Sequence, residues 1–272
     1  MTNNFEIKLP DAEKIRITAF GSNPNDYKYH AVYVHGFKGF KDWGFVPYMG
    51  EYFEKRGVYL ITFNFSLNGI GDKLNEFTEM DKFAANTFTR EMLELNRLIK
   101  DYSEGYFSSN PQKLTLIGHS RGGAIAALCS DNIFVNKTVL WSSIAKLDRY
   151  TARQKQIWKK TGYVEVVNTR TNQVMKLNST LLEDIENNKN STLSLQKALK
   201  NLHKPLLILH GTNDVSVPIE EGEQLYKWSN KEFSGFIKID KASHTFDIQH
   251  PYTGTNDKFE KLLEETHKFI IH

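Results

Sequence analysis

Residues 114–129 run Leu114-Thr-Leu-Ile-Gly-His-Ser-Arg-Gly-Gly-Ala-Ile-Ala-Ala-Leu-Cys129, and the fold follows from them. Leu114–Ile117 is a short apolar run, the pattern of a strand buried on both faces. Arg121–Cys129 is rich in alanine and free of breakers past its glycines, the pattern of a helix. Only Gly118-His119-Ser120 lies between them, so the chain must reverse from strand to helix in one sharp turn. The flanking glycines let the two elements approach without a Cβ clash. Ser120 is left at the apex, ahead of the free N–H groups and positive end of the helix. G-x-S-x-G alone is a weak signal; between an apolar strand and a helix it marks a candidate nucleophile.

A serine hydroxyl is a poor nucleophile near neutral pH and needs a base, which in turn needs a third group to orient it. In this arrangement the partners follow the serine in the order acid, then histidine. Asp214 comes after the apolar run Leu206–Leu209, in His210-Gly-Thr-Asn-Asp214. His244 comes after Gly235–Ile239, in Ala242-Ser-His-Thr-Phe246. Both therefore fall at the carboxyl ends of strands, the edge that Ser120 occupies. Glu220, Glu221 and Asp240 are rival acids, but the glutamates follow Pro218 and suit the first turn of a helix, and Asp240 ends a strand. An oxyanion needs two backbone donors. Arg121 N–H, directly after the serine, is one candidate. Phe37 N–H, in the loop His35-Gly-Phe-Lys-Gly39 after the strand Ala31–Val34, is the other. Trp43, Trp158 and His119 are candidate substrate-binding residues, and Lys38, Lys41, Arg121 and Arg153 could together favour an acidic substrate.

Outward from these motifs, apolar strands alternate with amphipathic helices. Phe5–Leu9 and Lys14–Phe20 form a hairpin around Pro10-Asp11. A helix over Phe45–Arg56, a strand over Val58–Phe65, a helix over Phe83–Tyr102, a strand at Thr138–Trp141 and a closing helix over Lys258–Ile271 complete the pattern. It predicts an α/β fold, a mostly parallel central sheet with helices on both faces. Residues 145–201 break the alternation with a polar helix around Asp148–Lys160, a hairpin of Tyr163–Val167 with Gln173–Leu177, and two further helical stretches. They are expected to form an inserted cap, with 1–144 and 202–272 as the core.

The bulk properties narrow the function. The net charge of +3 comes from 35 basic and 32 acidic residues, with no basic tract interleaved with aromatics, which argues against nucleic acid. No apolar run reaches membrane-spanning length, and the first residues lack the apolar core of a signal peptide, so a cytoplasmic location is expected. Cys129 is the one cysteine and reads as a buried helix residue. With no H-E-x-x-H or C-x-x-C, no metal site is expected.

Ser120 in Gly-His-Ser-Arg-Gly-Gly, Asp214 in His-Gly-Thr-Asn-Asp, His244 in Ser-His-Thr-Phe and the His35–Gly39 loop resemble the α/β-hydrolase superfamily. More narrowly, the chain is similar to dienelactone-hydrolase-related and prolyl-oligopeptidase-like small serine hydrolases, including bacterial feruloyl and cinnamoyl esterases. It departs from dienelactone hydrolases in having serine where they carry cysteine. The resemblance implies hydrolysis of a small-molecule carboxylic ester or thioester through an acyl-enzyme on Ser120, without a cofactor. A small peptidase or amidase of the oligopeptidase type and a non-catalytic ligand-binding hydrolase fold remain as alternatives, and a homodimer stays open.

Overall fold

The computed structural model describes residues 1–108 and 110–272. The chain opens with an antiparallel hairpin, β1 (Thr2–Lys8) and β2 (Lys14–Phe20). A tight helical turn at Pro24–Asp26 leads to β3 (Tyr29–Val34), followed by α1 (Val46–Glu54) and β4 (Val58–Asn64). Next come α2 (Met80–Ala85), α3 (Phe88–Ser103), β5 (Leu114–His119), α4 (Arg121–Cys129) and β6 (Val135–Trp141). After β6 the chain forms α5 (Ala152–Thr161), the hairpin β7 (Tyr163–Asn168) and β8 (Gln173–Asn178), α6 (Ser179–Asn188) and α7 (Leu195–Lys200). β9 (Leu206–Gly211), α8 (Ile219–Trp228), β10 (Ser234–Ile239) and α9 (Asp257–Ile271) close it.

Among the described residues the main sheet has eight strands in the order β1-β2-β4-β3-β5-β6-β9-β10. β2 runs antiparallel to both neighbours, and every pairing from β4 to β10 is parallel. β4, β5 and β9 are buried at every position, which is why they read as unbroken apolar runs. Successive residues of a strand point to opposite faces, and here they enter opposite cores. Ile61, Leu116, Leu140 and Ile208 pack with Leu95 and Leu98 of α3 and Ile125 of α4. Their neighbours Leu60, Ile117, Val139 and Leu209 pack with Phe53 of α1 and Phe259 and Leu262 of α9.

The helix expected over Phe83–Tyr102 is two helices. Thr87 is extended (φ −132°, ψ 164°), and its hydroxyl accepts from Arg90 N–H at 3.1 Å, capping α3. A threonine at a helix start satisfies a donor that the helix itself leaves unpaired. The apolar stripe conceals the break because Phe83, Phe88 and Leu95 all enter the same core.

The chain between β6 and β9, which pair directly, lies against the rest of the molecule. Trp158, Met175, Leu181 and Ile185 share a core with Phe77, Phe83 and Phe88. Asp184 accepts from Thr89 N–H at 3.0 Å, and Gln173 Nε2 donates to Phe77 O at 3.1 Å. Among the described residues no helix is long and apolar enough to cross a membrane.

Candidate active site

β5 delivers the chain to Ser120, which stands at φ 57°, ψ −120°, a conformation L-residues rarely adopt. The surroundings hold it there: Ser120 N–H donates to Trp141 O at 2.9 Å, and Ser120 O accepts from Gly123 N–H at 3.0 Å and Ile144 N–H at 3.3 Å. Strain of this kind costs about 1–3 kcal/mol and persists only where packing over-determines it. The glycines behind it are required by close approach. A Cβ at position 122 would lie 2.2 Å from Val34 O, so α4 could not sit against β3 with any other residue there.

Asp214 stands just past the end of β9 with its side chain fully buried. One carboxylate oxygen accepts from Ser216 N–H at 3.0 Å and Val217 N–H at 2.9 Å; the other accepts from His244 Nδ1 at 2.7 Å. With Nδ1 donating, Nε2 is the ring nitrogen left with a lone pair. Burial alone would push the Asp214 carboxyl up, but the nearby His210 imidazole and the hydrogen bonds from His244 and Val217 N–H hold it well below the usual carboxylate range. His210 is wholly buried, donates Nε2 to Val217 O at 2.8 Å and lies 3.5 Å from the same Asp214 oxygen.

His244 is steadied from beneath. His119 Nε2 donates to its carbonyl at 2.9 Å, with ring centroids 4.8 Å apart. Burial, reinforced by the neighbouring imidazole of His244, pushes His119 down to about 3, so it is a neutral support. Ser120, His244, His119, Phe37 and Trp43 all line one cavity of about 380 Å³. Among the described residues no hydrogen bond joins the Ser120 hydroxyl to His244; such contacts are often long before substrate is bound.

The loop after β3 is drawn onto the Ser120 turn. A Cβ at Gly36 would lie 3.0 Å from Ser120 Cβ and 3.1 Å from His119 O. His35 fastens the loop: Nδ1 donates to Gly36 O at 3.0 Å, and Nε2 accepts from Phe65 N–H at 3.4 Å. Burial takes His35 down to about 4, so the ring stays uncharged. Neither Phe37 N–H nor Arg121 N–H has a protein acceptor among the described residues. The Arg121 side chain turns away from the cavity. Its Nε donates to buried Glu91 at 2.8 Å, and its guanidinium lies 4.0 Å from the Phe88 ring centre and 5.8 Å from that of Phe37.

Glu220, Glu221 and Asp240 do not line the cavity. Glu221 instead accepts from Ala145 N–H and pairs with Arg149. Trp158, expected at the substrate, is a correction. It is fully buried with its ring edge-on to Tyr150 at 4.7 Å, because it is the apolar anchor of the otherwise polar α5. The expected basic cluster also dissolves. Lys41 bonds Thr18 and Asp42, Arg121 pairs with Glu91, and Arg153 is exposed away from the cavity. Lys38 alone remains, joined by Arg170 from the β7–β8 turn, which sequence reasoning missed. A polar turn residue carries no local signal of where its hairpin docks. Cys129 is buried in α4, and burial pushes its thiol up to about 12. Among the described residues no group of three or more His, Cys, Asp or Glu side chains could hold a metal ion.

A family model described as BD-FAE matches residues 97–229. Among solved structures, Est1E from Butyrivibrio proteoclasticus superposes with a TM-score of 0.71 at 15% identity, covering 98% of this chain and 97% of its own. The esterase domain of a Rhodothermus marinus protein gives 0.66 at 16%, covering 99% and 97%. A monoacylglycerol lipase from Paleococcus ferrophilus gives 0.69 at 15%, covering 94% and 98%. No curated protein matches the chain. Sheet order, helical layers and these likenesses show that the chain has the α/β-hydrolase fold.

Proposed function

We propose that the chain is a serine esterase. His244 Nε2 takes the proton of the Ser120 hydroxyl as its oxygen attacks the ester carbonyl. The carbonyl oxygen becomes an oxyanion held by Phe37 N–H and Arg121 N–H. Collapse expels the alcohol, which receives the proton from His244. Water then attacks the acyl-Ser120 ester with His244 accepting its proton, and as the acyl–oxygen bond breaks His244 returns that proton to Ser120 Oγ and the acid leaves. Asp214 keeps the imidazole in the tautomer that leaves Nε2 free and stabilises its cation when it forms. Residues 145–201 act as a cap, contributing Asn168, Thr169 and Arg170 to the cavity wall.

The observation that carries this reading is the 2.7 Å Asp214–His244 bond beside a cavity that Ser120, in its strained turn, also lines. The BD-FAE match and the likeness to Est1E, one structure of which is described as bound to ferulic acid, support an ester as substrate. The test is a panel of p-nitrophenyl esters of graded chain length, with Ser120→Ala as control and a fluorophosphonate probe as label. Turnover is expected to fall by about 10⁴-fold or more in Ser120→Ala, with loss of labelling. An enzyme that cleaves aminoacyl amides but no ester would refute the choice of substrate class.

A further inference from the structure

We propose that the ester accepted by this site carries a second, negatively charged group, a carboxylate received by Lys38 and Arg170. This rests on the reading of the site as an esterase.

Both cations line the cavity, and no Asp or Glu lines it among the described residues. Neither forms an ion pair there, whereas Arg16, Arg90, Arg97, Arg121 and Arg149 each have a carboxylate partner. The pair is also held in place. Arg170 donates one Nη to Lys38 O at 2.6 Å, Lys38 Nζ donates to Val167 O at 3.0 Å, and the guanidinium lies 5.3 Å from the centre of the Trp43 ring. These bonds join the β7–β8 turn to the loop that carries Phe37. They leave most of the guanidinium fork without a protein acceptor among the described residues. Next to it Asn168, only 1% exposed, also lines the cavity, and its amide nitrogen has no partner. One wall thus brings together an ammonium and a guanidinium with no carboxylate partner, each with N–H groups to spare, and an amide nitrogen with no partner at all.

Partial desolvation at the cavity wall lowers the affinity of both Lys38 and Arg170 for their protons, and the charge of Arg170 adds to the effect at Lys38. Two like charges close together and without a counter-charge are what an incoming anion relieves. A planar carboxylate matches the guanidinium fork, which can bond it in two places, and an ammonium beside it adds attraction without directional demand. A neutral ester would leave these donors unused. Because Arg170 remains exposed to solvent, the attraction should be screened by salt.

The carboxylate could belong to the acyl or to the alcohol part, and two substrates separate these. Mono-p-nitrophenyl adipate places it on the acyl chain, with p-nitrophenyl hexanoate as its neutral match. 4-Hexanoyloxybenzoate places it on the alcohol, with phenyl hexanoate as its match. At low salt one anionic ester should exceed its match in kcat/KM by about tenfold, and the preference should shrink in about 0.5 M NaCl. The anionic-to-neutral ratio should drop about tenfold in Arg170→Met and in Lys38→Met, and less in Arg170→Lys. Reading a ratio within each variant cancels any general loss of folded enzyme. A ratio at or below one for both pairs in the wild type, or a ratio unchanged in both methionine variants, overturns the inference while leaving the esterase reading intact. If no ester is turned over and fluorophosphonate leaves Ser120 unlabelled, both fall together.

Discussion

At Asp214 one buried carboxylate receives two backbone N–H groups and an imidazole. Asp214→Asn should therefore cost about 10⁴-fold in kcat, because the amide can present an N–H to Nδ1 and favour the wrong tautomer. Steady-state hydrolysis of p-nitrophenyl acetate would measure it. The same environment predicts acid sensitivity. The native pKa of Asp214 is depressed, so its contribution to stability is complete above the unfolded value of about 3.9 and is lost as pH falls through the native value. His35 and His119 act earlier. Their native values of about 4 and about 3 lie below the unfolded value of about 6.5. The unfolded chain thus takes up their protons first, and stability should decline from about pH 6.5 downward. Tm should follow that course, with a shallower slope in His119→Gln, which can still donate to the His244 carbonyl; equal slopes in the two proteins would count against the assignment. The positions of residues 120, 214 and 244 were legible because each follows an apolar run. The supporting roles of His35, His119 and His210 were not, since a histidine beside a glycine looks the same whether it faces solvent or a buried carbonyl.

Among the elements, α4 and the loop after β3 share one boundary, and both bear on the proposed oxyanion donors. Gly36→Ala would bring a methyl to 3.0 Å from Ser120 Cβ, so the loop must yield by a few tenths of an ångström. A fall of roughly 10² in kcat with little change in Tm is the expected outcome, as for loss of one oxyanion donor. Glu91 braces the other side. Burial pushes its carboxyl up, while the Arg121 guanidinium and the Asn86 amide oppose this. Removing one partner of a buried pair strands the other charge, so Glu91→Ala should lose about 3–5 kcal/mol in urea unfolding. Strands and most helices were readable from their two- and 3.6-residue periods. The break at Thr87 was not. Periodicity reports which face is buried, and here that face runs on across a capped interruption.

Over the whole molecule, residues 145–201 are packed into the same core as the helices beside the sheet. They should not unfold alone. Trp158 lies in this segment and Trp141 in the sheet, both fully buried. Single-tryptophan reporters at the two positions should give the same urea midpoint; an earlier transition at Trp158 would show that the segment is a separate folding unit. The amino-acid order by itself determined the sheet, the alternating layers and the strand-end placement of residues 120, 214 and 244. These follow from which side chains water excludes and from where glycine permits a sharp turn, and both are local properties of the chain. Only the tertiary structure decided that Trp158 packs inside, that Lys41 and Arg121 are consumed by partners, and that Arg170 joins Lys38 at the cavity. Where a charge ends up depends on which distant carboxylate reaches it first, and no local pattern encodes that distance.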